Sequence, residues 1–178
     1  MPLALACTIL VTYMPYLSVG PLGTLGFLPG YATERGMVSG EQYFLLTVAR
    51  RLFTANVPAS AYLIFAVVVL GVFSIWLLRN PENDDIRYIR NGLIIASLFM
   101  VLLAPHFAWY FTWLTVFLCF IPSVPVFYLT AASFLLYLTW INDTSDRVFI
   151  LKAVIFAPFL ISSLIMIWWR QFVHKKSS

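Results

Sequence analysis

Charge is what this sequence has least of. Eleven Lys and Arg with seven Asp and Glu make up 10% of the 178 residues, against roughly 25% in a soluble globular chain. So few charged side chains cannot cover the surface of a water-soluble domain of this length. Cysteine is scarce as well: Cys7 and Cys119 sit in separate apolar runs. That excludes a disulfide framework or a cysteine metal site, and each is expected to be a small buried hydrophobe. There is no Gly-rich phosphate loop, no H-E-x-x-H and no paired-cysteine motif, so no metal and no cofactor are expected. The net charge of +4 calls for no nucleic-acid partner, because Lys and Arg also orient membrane segments.

What the chain does have is apolar length. Hydrophobic residues make up 62% of it, gathered into runs that approach the roughly 20 residues a spanning helix needs. The runs are 3–19, 58–78, 92–104 (lengthened by 88–91), 109–121, 126–141 and 149–169. The first lacks the basic n-region and clean cleavage site of a signal peptide and reads as a membrane helix. Residues 92–121 fit either one long kinked helix or two helices parted by Pro105-His106. Two are preferred, because an ionisable His beside Pro in mid-bilayer is costly. The expected fold is an all-α, polytopic transmembrane bundle of about six spans, a single membrane domain over 1–178.

Two loops interrupt the pattern. Residues 20–57 hold most of the chain's eight glycines, and within them Ser39-Gly40-Glu41-Gln42 has the form of a capping box. A surface helix from about residue 40 to 53 should follow, with Phe44, Leu45, Val48 and Leu52 on its apolar side. Residues 79–91 form a charged loop containing Glu82, Asp84, Asp85, Arg87 and Arg90. Six spans would place loop 20–57, the His106 turn and residues 142–148 on one face. The other face would take loop 79–91, the Pro122–Pro125 turn and the C-terminal tail. Lys and Arg are denser on the second face, which the positive-inside rule makes cytoplasmic. The chain is thus expected in a bacterial inner membrane with its C-terminus inside.

The polar chemistry gathers on the first face. Pro105-His106-Phe107-Ala108-Trp109-Tyr110-Phe111-Thr112-Trp113-Leu114 sets one imidazole, two indoles and a phenol around a surface turn. An imidazole can bind a phosphate or shuttle a proton, and aromatic faces pack on sugar rings. The alternative is an interfacial aromatic belt with no ligand. Glu34-Arg35 and Glu41-Gln42 with Arg50-Arg51 form a second polar group, suited to hydroxyls and an anionic head group, or simply to the cap and solvated face of the surface helix. Asn142-Asp143-Thr144 has the glycosylation-acceptor form but lies too near the membrane to be expected as a modified site. No ionisable residue is expected deep in a span, and no inverted repeat is visible, which argues against a coupled transporter.

Three motifs occur in order with spans between them: Gly40-Glu41-Gln42-Tyr43-Phe44, Ala49-Arg50-Arg51-Leu52-Phe53, and Pro105-His106-x-x-Trp109-Tyr110-x-x-Trp113-Leu114. Over about residues 20–140 the chain resembles the C-terminal half of a GT-C-type polytopic glycosyltransferase, of the mannosyltransferase-like kind that uses polyprenyl-phosphate sugars. Ala108 stands where a second proline is usual in that turn. The group's Trp-x-Phe-Asn ending of the surface helix is eroded to Arg51-Leu52-Phe53-Thr54-Ala55-Asn56. The resemblance implies an inverting membrane enzyme that takes a sugar from a polyprenyl-phosphate donor on the outer face for a glycan or lipid acceptor. His106, Trp109 and Tyr110 would contact phosphate and sugar, and Glu41, Gln42 and Arg50 would line the same cleft. The group's catalytic carboxylate lies on the first outer loop, yet no acidic residue precedes Glu34, so the chain is expected to be a C-terminal part lacking that base. A non-catalytic membrane subunit or scaffold is the rival reading, and a lipid or solute carrier a weaker one.

Overall fold

The computed structural model describes residues 2–20, 30, 36–53, 56–79, 85–140 and 145–176, and every regular element among them is helical. Glu34-Arg35, most of the Gly- and Pro-rich stretch, residues 80–84 of the charged loop and Asn142-Asp143-Thr144 lie outside the described residues. Helix α1 (Pro2–Tyr13) continues as a 3-10 helix (Met14–Val19), and α2 (Phe44–Phe53), α3 (Ala59–Arg79) and α4 (Asp85–Leu103) follow. A 3-10 helix (Ala108–Thr112) leads into α5 (Trp113–Leu118). Then α6 (Val124–Ala132) runs on as a 3-10 helix (Ser133–Trp140), and α7 (Ser145–Lys176) closes the chain.

Among the described residues three helices are long and apolar enough to cross a membrane: Ala59–Arg79, Ile86–Leu103 and Asp146–Trp169. Only 17% of the first is buried inside the protein, leaving Ile64, Phe65, Val67 and Val72 exposed. Apolar surface of that extent is foreign to a soluble monomer but ordinary against acyl chains, where a helix meets its own backbone hydrogen-bonding needs. The protein is a helical membrane protein. Where about six spans are expected, the described residues contain these three, with shorter apolar helices at Leu3–Tyr16, Ala108–Leu118 and Val124–Thr139. Helical form sets how far the short ones reach. Twelve α residues over Pro2–Tyr13 with six 3-10 residues over Met14–Val19, and nine over Val124–Ala132 with eight over Ser133–Trp140, each rise about 30 Å, because a 3-10 residue adds about 2.0 Å rather than 1.5 Å. The Ala108–Leu118 piece rises only about 19 Å.

The core lies among α4 to α7. Met100, Val101, Leu114, Val126, Leu129, Ile155 and Phe156 are buried together, with α7 lying along α6 and α4 against α3 and α5. Gly92 brings α4 and α5 close, since a Cβ there would stand 2.8 Å from Phe117 Cε1. Pro158 lies inside α7 and has no N–H for the carbonyl of Val154. The Tyr128 hydroxyl on α6 donates to that carbonyl at 2.7 Å, so a neighbouring helix repairs the broken ladder inside the membrane. Tyr128→Phe should therefore cost about 1–2 kcal/mol, read as an earlier midpoint of SDS-induced unfolding from bicelles. An unchanged midpoint would mean the Val154 carbonyl is satisfied otherwise.

Three local expectations are corrected. Cys7 and Cys119 are exposed on the outside of the bundle, because an apolar run in a membrane protein has a lipid-facing side as well as a core side. The surface helix begins at Phe44, and no capping box forms. Gly40 takes a left-handed φ of +84°, Ser39 Oγ accepts from the Glu41 N–H at 3.5 Å, and the Gln42 side chain reaches another helix. Leu52 is 72% exposed while Leu46 is 1% exposed. Wedged between two packing surfaces, α2 buries Leu46 beside Ala59 and Tyr62 and Phe44 beside Phe149 and Phe156.

Candidate functional site

Helix α4 is brought to an end by a proline and a backbone reversal. Pro105 disfavours helix for the residue before it, and Ala104 turns to a φ of +42°, a left-handed conformation that costs a residue with a Cβ about 1–2 kcal/mol. The Ala104 N–H still reaches the Met100 carbonyl at 2.9 Å. The carbonyls then left over at the helix end are met by side chains from elsewhere. The Tyr62 hydroxyl on α3 donates to the Leu102 carbonyl at 2.7 Å, and Gln42 Nε2 donates to the Leu103 carbonyl at 3.3 Å. The strained Ala104 and its capped helix end thus launch the turn that carries His106.

Beyond the turn, the 3-10 geometry sorts the aromatic string. Side chains three apart eclipse in such a helix, and Ala108, Phe111 and Leu114 are all buried. Trp109 and Thr112 face outward, the Thr112 hydroxyl donating to the Trp109 carbonyl at 2.6 Å. Buried Phe107 stacks on Trp109, with ring centroids 4.0 Å apart and planes 12° apart. His106, half-buried, meets the Phe107 ring edge-on at 5.6 Å. Tyr110 sits 6.0 Å from Trp109, also half-buried. The result is an aromatic platform backed by Phe107, with Trp109 48% exposed and an imidazole at its rim.

The second polar group comes to the same end of the bundle. Residues 36–42 fold into turns, with the Gly36 carbonyl accepting from the Gly40 and Gln42 N–H groups. Gln42 ties this loop to α4 just before the His106 turn, while Glu41 is exposed. Arg50 is turned to the loop's stem: Nη1 donates to the Ser39 carbonyl at 2.9 Å, and Nε and Nη2 donate to the Val57 carbonyl at 3.0 and 2.6 Å. Its guanidinium therefore closes the loop. Arg51 pairs with Asp146 at 2.6 Å and lies over the Phe149 ring at 4.1 Å, joining α2 to the start of α7. Loop 36–43, the His106 turn and the start of α7, which the sequence assigned to one face, meet at one end.

Two residues the sequence left aside belong here. Tyr43 is fully buried against Tyr62, with centroids 5.1 Å apart. Burial pushes its phenol above the ordinary value of 10.0, and its hydroxyl has no hydrogen-bond partner among the described residues. Lys152, two turns into α7, is only 3% exposed. Its Nζ donates to the Gln42 carbonyl at 2.7 Å and the Glu41 carbonyl at 3.4 Å. The signal for it was one Lys set within the apolar string Phe149-Ile150-Leu151-Lys152-Ala153-Val154. Among the described residues no three His, Cys, Asp or Glu come together to hold a metal. No known protein family, characterised protein or solved structure matches the chain.

Proposed function

We propose that this chain forms the substrate-lining part of a membrane glycosyltransferase that takes a sugar from a polyprenyl-phosphate donor at the outer face, for a glycan or lipid acceptor. The observation that carries this is the tie of Gln42 to the Leu103 carbonyl, which sets the polar loop beside a half-open aromatic platform edged by His106. An imidazole suits a phosphate, and the outward face of Trp109 suits a sugar ring. Tyr110 completes the platform. Glu41 offers a carboxylate for hydroxyls, and Gln42 and Arg50 serve by holding the loop that presents it. On this reading the chain crosses a bacterial inner membrane about six times with its C-terminus inside. A cysteine placed at 106, in a Cys7→Ser, Cys119→Ser background, should then be labelled from outside intact cells.

Ligand binding tests the reading directly. The chain in nanodiscs should bind polyprenyl phosphate more tightly than the matching polyprenol. His106→Ala should erase most of that difference, weakening phosphate-lipid binding about tenfold, as loss of a charge-assisted hydrogen bond does. Trp109→Ala should weaken a sugar-bearing donor more than the bare phosphate. Exposed indoles also occur at Trp76, Trp168 and Trp169, away from this turn, which is the pattern of a lipid-facing aromatic belt. Equal binding of phosphate and alcohol, untouched by either substitution, would assign Trp109 to that belt and the chain to a scaffold role.

A further inference from the structure

Lys152 is an expensive residue to place where it is. Burying an ammonium is costly unless it is fully hydrogen-bonded, and an apolar side chain of similar volume often serves stability as well or better. Its partners explain its presence. In a helix continued backward from α2, the carbonyls of Glu41 and Gln42 would accept from the N–H groups of Leu45 and Leu46. The left-handed Gly40 and the turns around it prevent that continuation, and the ladder starts at Tyr43, whose carbonyl accepts from the Thr47 N–H at 3.0 Å. The ammonium supplies the missing donors from α7. Gln42 is then held at both ends, by its carbonyl to Lys152 and by its side-chain amide to the Leu103 carbonyl. Leu103 directly precedes the strained Ala104 and the His106 turn.

We propose that Lys152 is a positioning residue for the His106 turn, acting through Gln42 as a relay from α7 to the end of α4. Its ammonium bonds to the backbone of the loop, at the Glu41 and Gln42 carbonyls. It fixes the loop whose side chain braces the helix end from which they project. The proposal rests on the functional reading only in taking that turn as the binding end, and the coupling itself is measurable without ligand.

Hydrogen–deuterium exchange on the full chain in nanodiscs, with no ligand added, reads this coupling segment by segment. Lys152→Met should speed exchange about tenfold in residues 36–43 and, through the relay, in 103–112. Residues 67–76 of α3 should stay at the wild-type rate. Faster exchange in 36–43 alone would make Lys152 a local tie and overturn the proposal, and so would unchanged exchange in both segments. Uniform acceleration that includes 67–76 would mark general loosening and overturn it equally. Gln42→Leu removes only the second half of the relay and keeps the question open to test if Lys152→Met does not fold. It should speed exchange in 103–112, and an unchanged rate there overturns the proposal. Polyprenyl phosphate binding should fall about tenfold in Lys152→Met in parallel. A wild-type chain that binds no polyprenyl phosphate would sink the functional reading while leaving the exchange result to decide the relay.

Discussion

Gly40→Ala should destabilise this protein by about 2–5 kcal/mol, because it meets two independent penalties at one atom. The first is conformational. At a φ of +84° any residue with a Cβ is strained by about 1–2 kcal/mol. The second is steric: the new Cβ would stand 2.7 Å from Leu46 Cδ2, 3.1 Å from Arg50 Nη2 and 3.2 Å from Ala59 Cβ. Leu46 and Ala59 are both buried and cannot both yield without opening the small cluster they share with Tyr43 and Tyr62. Overpacking of this kind adds about 1–3 kcal/mol. The check is the thermal unfolding midpoint in detergent, expected to fall by about 4–20 °C. Gly20→Ala is the matched control: its φ is +83° and no atom of the described residues beyond its chain neighbours lies within 4 Å of its added Cβ, so only the first penalty applies. Equal losses in the two variants would show that the packing around Gly40 is not the constraint described here.

Phe156→Ala should cost about 3–5 kcal/mol. Phe156 is fully buried, with its ring 5.4 Å from that of Phe44 and 6.1 Å from that of Phe111. It is thus the point where α7 meets both α2 and the 3-10 helix bearing Trp109. Lipid removes much of the hydrophobic drive for helices to associate, so the loss here is of dispersion contacts around a void the rigid neighbours cannot fill. The readout is SDS titration from bicelles, with Phe134→Ala for comparison. Phe134 is 56% exposed, and its removal should leave the midpoint nearly unchanged. Similar midpoints for both would mean that burial within the bundle does not govern stability in this chain.

The same contrast between lining and lipid explains which features were legible in the sequence. The long helices were: α3 and the spanning part of α7 coincide closely with apolar runs bounded by Arg79 and Arg170, because helix is the form that satisfies the backbone of such runs in a bilayer. The division of 92–121 into two helices was legible at Pro105. The face of each helix was not. In a membrane both sides of a spanning helix are apolar, so composition could not tell Ala66, fully packed, from Val67, facing out. For the same reason both cysteines were misassigned to the interior.

At the candidate site the sequence by itself determined the residue inventory: His106, Trp109 and Tyr110 in one turn, with Glu41, Gln42 and Arg50 on a Gly-broken loop. It also determined that the two stretches share a face, since that follows from the alternation of spans. Only the tertiary structure decided how the polar groups are used. Arg50 and Gln42 are directed to backbone carbonyls because the left-handed Gly40 and the end of α4 leave those carbonyls without N–H partners. Lys152 joins the site for the same reason, from 110 residues further along the chain than Gln42. Hydrogen-bonding demand of that kind arises where separate elements meet, and no stretch of sequence carries it alone.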